Sequence, residues 1–210
     1  MGVIVKFLAL DLSKSNTGWA YWDGRSDKPR FGSWVLGSEY TTNGGVFAKL
    51  AANLTDLHGI MPFDGIIMEP PIVPSQLQGN TTIHTIRLAT GLAGMTQYFA
   101  HVYRDHPDHP VRFVDEVNVE SWRPSFIGKF ESAEAKAEAR RAKKAGDKRA
   151  SARDTLKALT IARCRQLGIE PRTNDEADAC GILTYGMLGR GITPPWLANE
   201  TLRTPLEITK

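Results

Sequence analysis

The sequence predicts an α/β chain built around one sheet, and three observations predict it. Residues 3–10 and 64–69 are short runs of strand formers that are apolar almost throughout, the pattern of strands buried on both faces. Between them the period changes. Val46, Phe47, Leu50, Ala51, Leu54, Leu57 and Ile60 recur at three and four, the spacing of an amphipathic helix over 44–60. A strand, a helix and a strand in one sheet imply a right-handed crossover and a parallel pair.

The first strand ends at Asp11. The polar turn Ser13-Lys14-Ser15-Asn16 leads into a second strand, Thr17 to Trp22, closed by Asp23-Gly24. A third strand follows Pro29 over 30–36, and the short connections make an antiparallel meander. Pro70-Pro71 stops the fourth strand after Glu69. Residues 81–103 predict a long helix, because Leu88, Leu92, Met95, Phe99 and Val102 form a stripe at four and three. Small residues flank that stripe, so another helix can approach closely, from a second subunit or from the chain's own fold. A fifth strand is expected at 111–114, a short helix at 119–128, and two more helices at 152–167 and 174–188.

Composition narrows the classes. The 210 residues suffice to bury a core without staples, and 41% hydrophobic against 23% charged residues exclude a disordered or fibrous chain. No apolar run reaches the roughly eighteen residues of a membrane span. Lys6 interrupts the first apolar run and Asp11 closes it, so no secretory signal is expected. Cys164 and Cys180 have no second pair and no histidine at finger spacing. That excludes a disulfide scaffold or zinc finger and favours a reduced, intracellular setting.

Net charge is +3 but unevenly spread. Residues 129–157 hold ten Lys or Arg, among them Lys129, Arg140, Arg141, Lys143, Lys144, Lys148 and Arg149, against five acids. A basic island on a near-neutral body points to a polyanion partner, and the plain alternative is a solvated charged helix. Segment 131–149 is rich in Ala, Lys, Arg and Glu and shows almost no apolar face, so an exposed helical arm is expected.

Acids stand at the ends of apolar runs. Asp11 closes the first strand, Glu69 closes the fourth, and Asp175 and Asp178 open the last helix. A buried carboxylate is costly unless paired or metal-bound. If the first and fourth strands are neighbours, Asp11 and Glu69 converge, and Asp175 and Asp178 share one helix face at i and i+3. Four hard oxygen ligands suit Mg²⁺ or Mn²⁺, and two such ions activate a water and stabilise the leaving oxygen of a phosphodiester. Each acid also has a structural reading. Asp175 can cap its helix, and Asp11 can serve an Asx turn.

These motifs resemble a family. Asp-x-Ser-x-x-x-x-Gly (Asp11 to Gly18), Ile67-Met68-Glu69 and Asn-Asp-x-x-Asp-Ala (174–179) are similar in kind and order to those of the RuvC Holliday-junction resolvases of the RNase H-like superfamily. Residues 119–128 resemble the segment after strand five in phage and mobile-element relatives. The resemblance implies a five-stranded mixed sheet flanked by helices, with strands 1–3 antiparallel and 4–5 parallel. It also implies a homodimer and metal-dependent, symmetric nicking of four-way DNA junctions. Asp11, Glu69, Asp175 and Asp178 would be the catalytic residues and hold two ions. The expected DNA contacts are Arg123 and the island cations Lys129, Arg140, Arg141, Lys143, Lys144, Lys148 and Arg149. The expected setting is the cytoplasm of a bacterial or phage-infected cell, with no membrane partner. Residues 1–190 would form the nuclease domain with a basic insertion at about 129–152, and 191–210, with Pro194, Pro195 and Pro205, an irregular tail. One departure stands out: Pro70-Pro71-Ile72 follows the glutamate, where bacterial members carry an aromatic wedge.

Other residues and classes compete with these. Asp115 and Glu116 also end a strand and are rival ligands. His106 and His109 lack the cysteine partners of a soft-metal site. Ser13, Ser15 and Thr17 have no recognisable triad context. Trp122 is expected in the core, with base stacking as the alternative. A sugar-kinase or actin-like ATPase needs a duplicated domain for which 210 residues leave no room. A nuclease of the same fold acting on other branched DNA or RNA–DNA hybrid remains an alternative. A non-catalytic nucleic-acid-binding module would be expected to have lost one of the acids.

Overall fold

The computed structural model describes residues 5–71, 82–147 and 150–198. Its centre is a five-stranded sheet made of β1 (Phe7–Asp11), β2 (Thr17–Trp22), β3 (Arg30–Trp34), β4 (Gly65–Met68) and β5 (Phe113–Glu116), in the order β3-β2-β1-β4-β5. The first three strands are antiparallel, while β1, β4 and β5 run parallel. This is the mixed sheet expected from the sequence. The described helices are α1 (Asn43–Ile60), α2 (Ile83–Val102), α3 (Val119–Ile127), α4 (Lys129–Lys144), α5 (Ala152–Gln166) and α6 (Asn174–Gly189). No described helix is long and apolar enough to cross a membrane.

The two-residue period of the strands divides the core into two halves. Phe7, Ala9, Ala20, Trp22 and Ile67 face one side, with Trp122 of α3, Leu159 of α5 and Leu183 of α6. Leu8, Leu10, Tyr21, Ile66 and Met68 face the other, with Leu50 and Leu54 of α1 and Leu92 and Phe99 of α2. Helices on both faces leave no polar side for β1 or β4, which is why both read as unbroken apolar runs.

α6 is buried from Glu176 through Thr184 and lies against β1 and β2. Small residues permit this approach: a Cβ on Gly186 would strike Ile67, and one on Gly181 would strike the Trp122 ring. The helix is capped by Thr173, whose Oγ1 accepts from the Glu176 N–H at 3.2 Å. Glu176 reaches back and accepts from the Arg172 N–H at 2.7 Å, a variant of the capping box. Capping is thus done by Thr173 and Glu176, and neither Asp175 nor Asp178 serves as the cap.

Three features differ from the sequence expectation. β5 begins at Phe113, because the Arg112 N–H turns to the Asp64 carbonyl and the ladder starts where Phe113 pairs with Gly65. α4 is a packed helix rather than a free arm. Ser132 and Ala135 are buried, Ala139 and Ala142 are half-buried, and this narrow stripe lies toward α3 and α5. Past residue 190 a 3₁₀ turn, Pro195–Leu197, buries Trp196, whose Nε1 donates to Thr184 Oγ1 at 3.0 Å. The segment after Pro71, Lys148 and Arg149, and the tail beyond residue 198 with Pro205 lie outside the described residues.

Candidate active site

The site is assembled by strand register. β1 and β4 pair Leu8 with Ile66 and Leu10 with Met68. One residue further, Asp11 comes level with Glu69 across the strand spacing of about 4.8 Å. Both share the parity of Ala9 and Ile67, so both sit on the face covered by α6.

Gly18 brings α6 to them. It pairs with Asp11 across β1 and β2, and a Cβ there would overlap the backbone carbonyl of Asp175. The glycine of the first motif therefore lets the start of α6 rest on the start of β2. The turn before it is tied by its own side chains. Thr17 Oγ1 donates to the Ser13 carbonyl at 2.6 Å, and Ser13 Oγ accepts from the Asn16 N–H at 3.1 Å. These serine and threonine hydroxyls build the turn, and Asn16 Nδ2 donates to Asp175 Oδ2 at 2.5 Å.

The remaining acids have uneven partners. Glu69 Oε1 accepts from Trp122 Nε1 at 2.6 Å. Asp178 Oδ2 accepts from Arg123 Nη2 at 2.8 Å, while Asp178 Oδ1 and Arg123 Nε are buried without a hydrogen-bond partner. Lys157 Nζ lies 3.8 Å from Asp175 Oδ1. Among the described residues, the Asp11 carboxylate accepts no hydrogen bond that would favour its ionised form.

Charge accumulates accordingly. Burial, and then the carboxylates of Asp178, Glu69 and Asp175, push the Asp11 carboxyl well above its ordinary range, with Lys157 opposing. Burial also raises Glu69 against the pull of the Trp122 hydrogen bond, Arg123 and Lys157. Asp178 is pushed up to about 6, chiefly by burial and despite Arg123, with Glu69 and Asp175 adding to the rise. A crowded carboxylate cluster of this kind marks a functional site more often than a structural one.

The rival residues are occupied elsewhere. Asp115 takes two bonds from Arg190, at 2.5 and 2.8 Å, and Glu116 accepts from Gln97 at 3.1 Å. His106 and His109 fold their loop: the His109 N–H donates to His106 Nδ1 at 3.2 Å, and the His109 carbonyl lies 2.9 Å from Nε2 of buried His58. Cys164 and Cys180 are buried free thiols. The island cations Lys129, Arg140, Arg141, Lys143 and Lys144 are exposed along α4, away from the α3 and α5 edge. Arg123, expected as a DNA contact, donates to Asp178 and is 17% exposed. Trp122 is fully buried, as expected, and also holds Glu69. Trp122, Lys157 and Asn16 are site neighbours that the sequence reading did not assign. The available signal was topological: α3 follows a strand parallel to β4, so it starts at the same end of the sheet as Asp11 and Glu69.

The chemistry of this donor set fits a divalent cation. The acids supply hard oxygens, and the buried, unpartnered Oδ1 of Asp178 has no protein donor to satisfy it. As they stand, no three His, Cys, Asp or Glu side chains among the described residues are grouped closely enough to grip one ion. Arg123 and Lys157 occupy two corners of the cluster.

No protein-family model matches the chain, and no curated protein matches it by sequence. The similarity lies in the structure. Thermus thermophilus RuvC aligns with a TM-score of 0.55 and 15% identity, over 89% of this chain and 96% of its own. T. thermophilus RuvC in complex with Holliday junction substrate gives 0.54 and 10% identity over the same shares. The chain thus has an RNase H-like fold. Within that class its strand order and flanking helices match the RuvC arrangement.

Proposed function

We propose that the protein is a metal-dependent endonuclease that resolves four-way DNA junctions by paired phosphodiester hydrolysis. One observation carries the reading: Asp11, Glu69 and Asp178, with Asp175 at the rim, crowd one end of the sheet with fewer protein partners than their charges require. These four residues would hold two Mg²⁺ or Mn²⁺ ions. Bound there, the ions supply the Lewis acidity that activates water and stabilises the leaving oxygen.

The chain's own groups prepare that chemistry. Trp122 fixes one oxygen of Glu69 and so orients the other, as outer partners do for ligating carboxylates. Asn16 orients Asp175 in the same way. The exposed cations of α4 supply phosphate contacts that position a duplex arm without reading its sequence. Two symmetric nicks require two related sites, hence a homodimer. Tyr98, 62% exposed, and Val102, 55% exposed, make α2 the helix proposed to form it.

The test is incubation with a labelled four-way junction, a linear duplex and an RNA–DNA hybrid, in Mg²⁺ or EDTA. Paired nicks in the junction alone, lost in EDTA, are the expected result. Cleavage of the hybrid or duplex at equal rate would redirect the reading to another substrate. Absence of cleavage with intact binding would favour a binding module.

A further inference from the structure

We propose that Arg123 is a resident counter-ion. It holds Asp178 while the site is metal-free and yields that carboxylate when a divalent cation enters, so Arg123 sets the metal affinity of the site. The inference rests on the metal-site reading above and goes beyond it in naming the residue that competes with the ion.

Three observations lead there. First, the ion pair is incomplete. Arg123 gives Asp178 a single bond, at 2.8 Å, and leaves its own Nε and the opposite oxygen, Oδ1, buried and unpartnered. An Arg–carboxylate pair selected for stability is commonly two-pronged. This molecule has one, in which Arg190 grips Asp115 through both Nε and Nη2. The Asp178 side chain is only 5% exposed, so its free oxygen is buried and has no water-facing side to satisfy it. It is an acceptor without a donor.

Second, Arg123 is the less buried of the two α3 partners. Its side chain is 17% exposed, whereas neighbouring Trp122 is fully buried and pinned beneath Gly181. The guanidinium rests over the Trp122 ring, 4.6 Å from the centroid, on a surface that a small rotation need not abandon. Trp122 is a neutral donor and can keep Glu69 while an ion binds. Arg123 is a cation on a carboxylate that the ion needs.

Third, the charge does not balance. Among the described residues, Arg123 and Lys157 are the cations paired with the four acids, and Lys157 stands 3.8 Å from the nearest. One guanidinium is a poor substitute for a doubly charged ion among carboxylates, because like-signed acids repel at short range in a low dielectric. The arrangement is a holding state with one exchangeable corner.

The experiment is Mn²⁺ titration of the chelator-cleared full chain without DNA, read by electron paramagnetic resonance, with melting curves in EDTA and in Mn²⁺. Arg123→Met keeps the stem on Trp122 and removes the charge. It should bind Mn²⁺ about tenfold more tightly than wild type, in keeping with a few-fold to hundredfold coupling between competing sites. It should also melt lower in EDTA and gain more from Mn²⁺. Arg123→Gln, which keeps a hydrogen bond without the charge, should shift affinity the same way, and serves if Arg123→Met does not fold. Arg123→Lys should stay near wild type. Unchanged or weaker Mn²⁺ binding by folded Arg123→Met or Arg123→Gln overturns the inference, because it would make Arg123 a bystander or a support for the ion. Asp11→Asn separates the two readings. If wild type binds and Asp11→Asn does not, only the counter-ion role is at stake. If both bind Mn²⁺ equally, the metal site itself is wrong and the counter-ion role falls with it.

Discussion

Two sets of carboxylates end neighbouring parallel strands of one mixed sheet, and the protein around them serves them differently. Asp115 and Glu116 at the end of β5 receive a two-pronged arginine and an amide. At the ends of β1 and β4, Glu69 alone receives an indole N–H, and both Asp11 and Glu69 face two further acids from α6. The difference is one of neighbours. β5 lies at the sheet edge, where Arg190 arrives from the end of α6 and lies over the Phe113 ring. β1 and β4 are central, and what arrives over them is the acidic start of α6, set down by Gly18. Acids at a strand end are structural where the fold supplies their donors. Where the fold supplies more acid instead, the proposed reading is that they are kept for a ligand.

The largest effect that would break this contrast is in catalysis. Asp11→Asn, Glu69→Gln and Asp178→Asn should each lower junction cleavage by on the order of a thousandfold or more, the scale of losing several kcal/mol of metal-borne stabilisation. Folding and junction binding should persist. Gel assays on the purified variants check this, and near-normal nicking by folded Asp11→Asn would remove the active-site assignment. Gly18→Ala is the positional counterpart. Overpacking against the Asp175 carbonyl should cost about 1–3 kcal/mol in denaturant melts and reduce cleavage, although no ligand is changed.

The next effect is on stability against pH without divalent ions. Asp178 holds its proton up to about 6 in the fold, whereas an unfolded carboxyl releases it near 3.8. Between those values the folded chain binds more protons than the unfolded one, so stability falls as pH rises. The contribution is fully present below about 3.8 and lost above about 6. Asp11 and Glu69, also raised, act in the same direction. Wild type in EDTA should lose several degrees of Tm across that window relative to Asp178→Asn. Parallel Tm curves for the two proteins would show that the cluster carries no such strain.

The contrast also marks what a sequence can and cannot reveal. Asp11 and Glu69 were legible because each ends an apolar run, and strand parity then aligns them. Asp175 and Asp178 were legible as an i, i+3 pair, but their separation from the cap was not, because only the structure shows Thr173 and Glu176 in that role. The partners of the acids were illegible. Trp122, Arg123 and Lys157 reach the site through the packing of α3 and α5 on α6, over 53, 55 and 18 positions of chain, and no local spacing encodes that. The inner edge of α4 was missed for another reason. It is made of Ser132, Ala135, Ala139 and Ala142, side chains too small to register as an apolar stripe beside so many charges.

Cations divide in the same way as the acids. Arg123 and Lys157 are turned in toward carboxylates, while Arg140, Arg141, Lys143 and Lys144 are exposed on the outer side of α4. Changing those four to Ala should weaken binding to all junctions alike. Each lost phosphate contact should reduce the slope of log affinity against log salt by about 0.9. Alanine keeps the helix, so lost helicity would not explain the result. Unchanged affinity and slope in fluorescence anisotropy would make α4 a solvated face only. A change confined to cleavage-site preference would mean that these residues read bases.

The smallest effect belongs to the satisfied end of the sheet, and it gives the comparison its control. Asp115→Asn removes one charge from a pair whose partners are both 35% exposed, where ion pairs contribute about 0–1 kcal/mol. Asparagine can still accept a bond from Arg190, and Arg190 keeps its seat on Phe113. Cleavage, Mn²⁺ affinity and Tm should therefore all match wild type within a few fold or a degree or two. The variant matters because Asp115 is one strand away from Glu69, paired with Ile67 in the ladder. A general loss of negative charge near the site would reach it. If Asp115→Asn impaired cleavage or Mn²⁺ binding as strongly as Asp11→Asn, the two ends would be one extended acidic surface. The distinction drawn from donor supply would then fail, despite the two bonds that Arg190 makes.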